Sequence, residues 1–136
     1  MSAIHIYQGR FATMSAILYT WDGRHLYKGR FTTISDILYT WDGKHLYRGR
    51  FPIVSEIMCT WDGKNSFTGR FPIISAAKYT WDGKHICKGR FSLISDVLYT
   101  YDGKHLYRGR FPLISEILLT TEEPVPIPIL LASLVW

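Results

Sequence analysis

Residues 34–51 read Ile-Ser-Asp-Ile-Leu-Tyr-Thr-Trp-Asp-Gly-Lys-His-Leu-Tyr-Arg-Gly-Arg-Phe, and this stretch returns along the 136-residue chain with a period of twenty residues. Gly-Arg-Phe begins at residues 9, 29, 49, 69, 89 and 109, and Asp-Gly begins at residues 22, 42, 62, 82 and 102. Such regular spacing indicates one supersecondary unit used repeatedly. The repeat therefore decides the fold class, whereas it leaves the function open.

Each unit contains two runs of β-forming residues, Ser-Asp-Ile-Leu-Tyr-Thr-Trp and His-Leu-Tyr, with Asp-Gly between them. Asp-Gly is typical of a two-residue type I′ hairpin turn, because both central positions of that turn need a positive φ. Gly-Arg-Phe, often followed by proline, marks a second and longer turn. We therefore expect twelve strands in up-and-down order, near residues 3–9, 14–21, 24–30, 34–41, 44–50, 54–61, 64–70, 74–81, 84–90, 94–101, 104–110 and 114–120.

The two faces of these strands follow from the alternation of side chains. A two-residue turn pairs Trp41 with Lys44 and Tyr39 with Leu46. One face then carries Ser35, Ile37, Tyr39, Trp41, Lys44, Leu46, Arg48 and Arg50, and the other carries Ile34, Asp36, Leu38, Thr40, His45, Tyr47, Gly49 and Phe51. Because the first set holds the cations, we expect it to face solvent and the second set to face the interior.

The edges of the predicted sheet require closure. An open meander of twelve strands would leave two bare edges, and a closed barrel has none. A barrel of that width needs a plug, and residues 129–136 are apolar apart from Ser133, as in a buried helix. The prediction is an all-β fold in which residues 1–120 form a closed antiparallel barrel. Residues 121–136 of the same domain then form a proline-containing linker and a short hydrophobic helix in the lumen.

Composition and charge favour particular partners and locations. The net charge of +5 and the pI near 9.3 favour anionic partners. Cys59 and Cys87 occupy different positions of the repeat, which indicates repeat drift rather than a disulfide or a metal site. The first residues lack the features of a signal peptide, and the apolar run of residues 125–136 is too short to span a bilayer. We therefore expect a cytoplasmic protein that is at most peripheral to membranes.

The arginines of Gly-Arg-Phe are the first candidate binding residues. They are expected to ring one rim of the barrel, with Lys28, Arg48, Lys88 and Arg108 one step below, and to attract phosphate or anionic head groups. The alternative is that they form ion pairs with Asp36, Glu56, Asp96 and Glu116. The six candidates are Arg10, Arg30, Arg50, Arg70, Arg90 and Arg110.

The aromatic residues before Asp-Gly are the second candidates. At an exposed rim they would stack on sugars or sit in a membrane interface, and the alternative is that they pack over the turn. They are Trp21, Trp41, Trp61, Trp81 and Tyr101.

Catalytic and metal chemistry find little support in the repeat. Its histidines recur on every second strand, about 9.6 Å apart, which is too far to share a zinc ion, so His–Thr cross-strand pairs are expected instead. Near-identical units also lack the asymmetric constellation that an active site needs. We expect no catalytic residue, no metal and no cofactor.

The repeat Tyr-Thr-Trp-Asp-Gly-Lys-His-Leu-Tyr-Arg-Gly-Arg-Phe, closed by Ile-Pro-Ile-Leu-Leu-Ala-Ser-Leu-Val-Trp, resembles the β-flower proteins, which are shallow symmetric barrels of repeated hairpins. Their architecture is similar to the Tubby C-terminal domain and the phospholipid scramblases, where a twelve-stranded barrel encloses a hydrophobic C-terminal helix. The resemblance implies this fold for the whole chain. It carries no activity over, because the phosphoinositide site of Tubby domains has no residue-by-residue match here.

These observations favour a non-enzymatic binding or scaffold module, acting as a monomer. Its expected partner is an anionic membrane surface or an amphiphilic ligand at the basic rim, and nucleic acid is not expected. The alternative is a carbohydrate or cell-wall binding protein that uses the repeated Trp and Tyr residues. Choline- and glucan-binding repeats have a similar length and Asp-Gly-Lys turns, but they place paired aromatics where this chain has His-Leu-Tyr.

Overall fold

The protein forms a closed barrel of twelve antiparallel strands in up-and-down order, in which the first strand pairs with the last. The structure, a computed structural model, describes residues 3–134. The strands are β1 (Ile4–Gln8), β2 (Ile17–Trp21), β3 (His25–Lys28), β4 (Ile37–Trp41), β5 (His45–Arg48), β6 (Ile57–Trp61), β7 (Asn65–Thr68), β8 (Ala77–Trp81), β9 (His85–Lys88), β10 (Val97–Tyr101), β11 (His105–Arg108) and β12 (Ile117–Thr121). A helix, α1 (Ile127–Leu134), follows. The predicted barrel of six hairpin repeats is confirmed.

The even-numbered strands begin three residues later than the repeat pattern predicts. In each unit the preceding Ile-Ser-Asp or its equivalent forms a 3₁₀ turn, as at Ile34–Asp36, where the Asp36 N–H donates to Thr33 O at 2.8 Å. Long connections therefore replace the predicted strand starts. We call these connections the outer loops: residues 9–16, 29–36, 49–56, 69–76, 89–96 and 109–116.

The Asp-Gly turns also differ from the prediction. Trp41 pairs with Leu46, not with Lys44, so that Gly43 and Lys44 are the central residues of the turn. Gly43 has a φ of 96°, while no residue other than glycine has a positive φ in the described chain. A positive φ at the first central residue alone is the sign pattern of type II′ rather than type I′.

Hydrogen bonds to the aspartate side chain explain this register. Asp42 Oδ1 accepts from the backbone N–H groups of Lys44 at 2.9 Å and His45 at 2.6 Å, and Asp42 Oδ2 accepts from the Tyr47 hydroxyl at 2.7 Å. The carboxylate thus replaces the backbone acceptor that a type I′ turn would provide. The same three bonds recur at Asp22 and Asp102.

The sixth hairpin is assembled from the two ends of the chain. Glu122, which follows β12, takes the place of the turn aspartate: its Oε1 accepts from the His5 N–H and its Oε2 from the Tyr7 hydroxyl, both at 2.7 Å. The Thr120 hydroxyl donates to Gly9 O at 2.6 Å across the same seam. The seam therefore repeats the side-chain bonds that hold an ordinary hairpin together.

The predicted assignment of the two strand faces is wrong. Leu46 is fully buried and Trp41 nearly so, and both belong to the apolar core, whereas Ile34 and Phe51 of the predicted interior set are exposed. The cations do not mark a solvent-facing strand face, because Lys44 lies in the turn, Arg48 at the exposed end of β5 and Arg50 in an outer loop. A β-bulge also interrupts the alternation: Leu26 pairs with Tyr39 but Tyr27 with Ile37, so Ile37 lies on the face opposite to Tyr39.

One apolar cluster joins the two parts of the chain. It contains side chains from strands all around the barrel, such as Leu26, Leu46 and Leu106, together with Ile129, Leu130 and Leu131 of α1. All six of these side chains are fully buried. We call the strand face that contributes to this cluster the core face. The predicted end of the helix at Trp136 lies outside the described residues.

Ser66 interrupts the core face. The equivalent residues of five other units are the buried apolar side chains Ile6, Leu26, Leu46, Ile86 and Leu106. Ser66 Oγ is buried without a hydrogen-bond partner among residues 3–134, since its contact with the Cys59 thiol does not reach hydrogen-bond geometry. Burial raises the pKa of the Cys59 thiol to about 11, which leaves it a neutral and weak partner.

Replacing this serine should stabilise the fold. A buried hydroxyl without a partner costs about 1–3 kcal/mol, so Ser66→Ala is expected to raise the free energy of unfolding by about 1 kcal/mol. Urea denaturation of the two proteins measures the difference. Thr60→Ala serves as the control, because the Thr60 hydroxyl donates to Gly69 O at 2.8 Å and its loss should destabilise. Equal losses of stability in both variants would contradict the assignment.

Low pH should weaken the turns. Burial opposes ionisation of Asp42, but hydrogen bonds from the His45 and Lys44 N–H groups and the Tyr47 hydroxyl, with the nearby His45 ring, outweigh it and hold the pKa below its ordinary value. Burial again opposes ionisation at Asp22, Asp102 and Glu122, but equivalent N–H and tyrosine hydroxyl donors lower their pKa values. The pKa of Asp82 is lowered by the His85 and Lys84 N–H groups and the His85 ring, without a tyrosine.

A lowered carboxyl pKa stabilises the folded state above the unfolded pKa of about 4, and this contribution is lost as the pH falls through the folded value. We therefore expect the free energy of unfolding to be constant above about pH 5 and to fall steadily below pH 4. Denaturation curves between pH 7 and pH 2.5 measure it. Asp42→Asn removes one of the five carboxyl groups with a lowered pKa and should make the dependence less steep, and an unchanged slope in this variant would count against the turn as its source.

Candidate binding surface on the outer loops

Each outer loop leaves the barrel at Gly-Arg-Phe and folds back over the outer wall. Gly49, with a φ of 83°, turns the chain away from β5. The Thr40 hydroxyl, on the outer wall, donates to Gly49 O at 2.7 Å. In the preceding loop, Arg30 O lies 3.3 Å from His5 Nε2, which is also on the outer wall. The loops therefore cover the wall, and their remaining side chains point away from it.

The candidate arginines lie on these loops, and all six are exposed. Each guanidinium stacks on the phenylalanine that follows it, with Arg10 at 4.5 Å and Arg30 at 4.9 Å from the ring centroid, and the other four within this range. Cation–π contacts of this exposed kind contribute about 0.5–1 kcal/mol. They hold a positive charge beside an aromatic ring at six equivalent places.

The alternative of ion pairing is not what the geometry shows. Within residues 3–134, no arginine nitrogen lies within 4 Å of a carboxylate oxygen, and the ion pairs that occur join histidines to acidic groups, as His85 to Asp82. Arg30 instead donates to the Met14 sulfur at 3.7 Å. The described carboxylates therefore do not neutralise the loop guanidinium groups, whose positive charge is available to anionic groups outside the protein.

The same loops carry a large apolar surface. Across the described chain, the large apolar side chains that are more than half exposed all lie on the outer loops. They are Phe11, Met14, Phe31, Ile34, Phe51, Ile53, Val54, Phe71, Ile73, Ile74, Phe91, Leu93, Ile94, Phe111, Leu113 and Ile114. Exposed apolar side chains that concentrate on one part of a protein surface indicate an interaction site.

This apolar surface is uneven around the barrel. Two loops have threonine two residues after the phenylalanine, at Thr13 and Thr33. The other four loops, which are consecutive around the barrel, have isoleucine or leucine there, and the four exposed residues are Ile53, Ile73, Leu93 and Leu113. We call these four outer loops, residues 49–56, 69–76, 89–96 and 109–116, the apolar sector. One side of the molecule is thus better suited to an apolar partner than the other.

Comparison with known proteins agrees with this architecture. The family model described as 6-fold beta flower protein matches residues 6–130. The chain belongs to the 6-fold β-flower family. No curated protein and no solved structure matches it. The expected likeness to Tubby domains and scramblases therefore stays a prediction.

The aromatic candidates of this β-flower protein lie mostly in the core. Trp21 and Trp41 are only 3% and 8% exposed, and Tyr101 is buried with them. Trp61 and Trp81 are half-buried and pack against the same cluster. These last two border a groove of about 670 Å³ that is also lined by linker residues 124–126 and by Ile127 of α1.

A second group of cations lies at the ends of the odd-numbered strands. Arg48 is exposed and pairs across the strands with Tyr39. Burial raises the pKa of Tyr39, and the charge of Arg48 partly offsets this effect, so the two groups are close. The equivalent pairs are Lys28 with Tyr19, Lys88 with Tyr79 and Arg108 with Tyr99.

The histidines pair with threonines of neighbouring strands. His25 pairs with Thr40 of the next hairpin rather than with a threonine of its own. Among residues 3–134 there is no cluster of three or more His, Cys, Asp or Glu side chains that could hold a metal ion. Within the same range, no helix is long and apolar enough to cross a membrane.

The exposed aliphatic residues were missed by sequence reasoning, which placed Ile34 in the interior. Ile34 lies in the 3₁₀ turn before β4, and the positive φ of Gly49 ends β5 before Phe51, so neither residue continues the alternation of a strand. The sequence prediction recognised Gly-Arg-Phe as the start of a turn but ended that turn three residues too early.

Proposed function

We propose that this β-flower protein is a non-enzymatic binding module that attaches to anionic membrane surfaces through its outer loops. The observation that carries the proposal recurs in each loop: an arginine that has no carboxylate partner among residues 3–134 lies beside two or three exposed apolar side chains. In this role the protein acts as a monomer and needs no cofactor.

The combination suits the membrane interface. A basic residue near an anionic surface contributes about 1 kcal/mol, and apolar insertion adds about 25 cal/mol for each Å² removed from water. Either contribution alone gives weak and reversible attachment, whereas stable attachment takes two signals. Arg50 beside Phe51 and Ile53 supplies both within one loop.

The remaining chemistry favours binding over catalysis. The carboxylates of Asp22, Asp42 and Asp102 are engaged in turn hydrogen bonds, and each has the same surroundings as its counterpart in the other units. An active site usually needs one asymmetric set of groups with distinct roles. The proposal therefore excludes a catalytic role for these aspartates.

Vesicle co-sedimentation tests the proposal. The wild-type protein should bind vesicles of phosphatidylcholine with phosphatidylserine, bind pure phosphatidylcholine much more weakly, and lose affinity as salt rises. Changing the four apolar-sector residues to the threonine of the other loops (Ile53→Thr, Ile73→Thr, Leu93→Thr and Leu113→Thr) should lower the affinity at least tenfold. Reversing Arg30, Arg50 and Arg70 to Glu should abolish binding.

The control is built into the repeat. Threonine is already present at Thr13 and Thr33, so the fourfold variant should keep its fold, which circular dichroism checks. Wild-type binding that ignores salt or vesicle charge would rule the proposal out. Concentration-dependent dimerisation that the threonine changes abolish, with no vesicle binding, would instead assign the apolar sector to a second copy of the chain.

A carbohydrate is the second candidate. The favouring observation is the groove at the turn end, where Trp61 and Trp81 are partly accessible beside Tyr101. Aromatic faces of this kind stack on sugar rings. A glycan-binding screen with the wild type and Trp81→Ala separates this candidate from the membrane proposal.

A further inference from the structure

A buried tyrosine occupies the same position in four of the six hairpins. Its hydroxyl donates to the turn carboxylate, and its ring meets the edge of the preceding histidine, as at Tyr107, where the ring centroids of His105 and Tyr107 are 5.9 Å apart. The four residues are Tyr7, Tyr27, Tyr47 and Tyr107.

Cysteine replaces this tyrosine at Cys87, and a groove lies there. The groove has a volume of about 340 Å³, and its lining includes Asp82, His85 and Cys87. These are the positions that surround the tyrosine ring in the other hairpins. Ile94 and Phe111 of the outer loops form its apolar walls. The groove therefore lies where an aromatic ring is missing.

At the polar end of the groove, the Asp82 carboxylate lacks the tyrosine hydroxyl donor that the aspartates of the tyrosine-containing hairpins have. In the tyrosine-containing hairpins the hydroxyl reaches the turn carboxylate, and the histidine Nδ1 stands back, as at 3.7 Å between His45 and Asp42. At Asp82 the His85 Nδ1 has moved to 3.3 Å of Oδ2. A carboxylate oxygen accepts more than one hydrogen bond, so Asp82 Oδ2 retains capacity for a hydroxyl donor.

The neighbouring hairpin shows the difference between a missing hydroxyl and a missing ring. Phe67 stands at the tyrosine position and keeps the ring. The groove beside it, of about 550 Å³, owes room to Ala77, where other hairpins have isoleucine or valine. The Cys87 groove is thus the place that lacks both the ring and its hydroxyl.

We propose that the groove at Cys87 binds a phenol, with the aromatic ring between His85 and the outer-loop residues Ile94 and Phe111 and the hydroxyl donating to Asp82. The ligand completes the tyrosine constellation that four other hairpins build from their own residues. Apolar cavities left by a missing side chain bind small aromatic molecules of matching shape. The groove shares Ile94 and Phe111 with the proposed membrane surface, whereas Asp82 and His85 at its polar end lie outside the outer loops.

NMR titration with 4-methylphenol tests this inference. The wild type should show chemical-shift changes confined to residues around Cys87, with a dissociation constant on the order of 1 mM or tighter. Toluene, which lacks the hydroxyl, should bind at least fivefold more weakly. N-acetyl-tyrosinamide distinguishes the two sources of the phenol group: tighter binding than 4-methylphenol assigns the site to a tyrosine side chain of a partner, weaker binding to a free phenol.

The repeat supplies matched variants. Cys87→Tyr restores the residue of the four other hairpins, so it should fold and should abolish binding of 4-methylphenol. Cys87→Ala should keep the groove and bind as well as the wild type, which excludes chemistry of the thiol. Equal binding to Cys87→Tyr, no preference over toluene, or no shifts up to about 10 mM would overturn the proposal.

Discussion

Leu131→Asp is expected to unfold the protein at room temperature. Leu131 has 0% of its surface exposed and lies in the cluster that joins α1 to the strands. The change removes the burial of a leucine side chain, about 1.5–3 kcal/mol, and places a carboxylate without a partner in an apolar environment, which costs several kcal/mol more. The sum is comparable to the whole stability of a small domain, about 5–15 kcal/mol.

This expectation rests on the position of α1. We infer that the helix lies inside the barrel. Ile129, Leu130 and Leu131 point in different directions around the helix axis, and all three are fully buried. They also belong to one apolar cluster with core-face residues of strands on every side. Deleting residues 125–136 should then yield an insoluble or molten protein, because it removes the fully buried Ile129, Leu130 and Leu131 from the core cluster.

Thermal unfolding followed by near-ultraviolet circular dichroism measures both effects. The matched control is Leu113→Asp, which makes the same change at an outer-loop leucine that is 56% exposed and should leave the melting temperature within a few degrees. If the truncated chain keeps the melting temperature of the wild type, α1 is a surface appendage and the inference fails.

Removing β1 is the second change with a large expected effect. Deleting residues 1–8 should convert the barrel into an eleven-strand sheet with two bare edges, and it should leave Glu122 without its His5 and Tyr7 partners. It also removes the fully buried Ile6. Free edges promote pairing with other chains, so the truncated protein is expected to aggregate or to lose its cooperative transition.

Restoration in trans makes the test specific. A peptide of residues 1–8, added in excess, should restore the cooperative transition of the truncated chain, because binding to the native state stabilises it by mass action. A peptide with Ile6→Asp has the same backbone donors but no apolar side chain, and it should fail. A truncated chain that melts like the wild type without any peptide would contradict the closed seam.

Much of the barrel could be predicted because its causes are local. The alternation of β-forming runs with Asp-Gly and Gly-Arg-Phe gives twelve strands, and the apolar segment after Pro128 gives a buried helix whatever surrounds it. The candidate arginines were also identified from the repeat, since Gly-Arg-Phe belongs to a turn and turns are exposed. Their lack of carboxylate partners was not predictable, because Asp36 and its equivalents lie in 3₁₀ turns whose direction the sequence does not reveal.

By itself, the sequence of this β-flower protein determined the number of strands and their antiparallel order, because β-forming runs alternate with turn signals at a fixed period of twenty residues. Only the tertiary structure decided which face is the core. That choice depended on Lys44 lying in the turn, where the Asp42 carboxylate accepts backbone N–H groups. The contacts that close the barrel were also visible only in the tertiary structure. Glu122 meets His5 and Tyr7, which are more than a hundred residues away in the chain, and a local sequence pattern carries no information about such a distant contact.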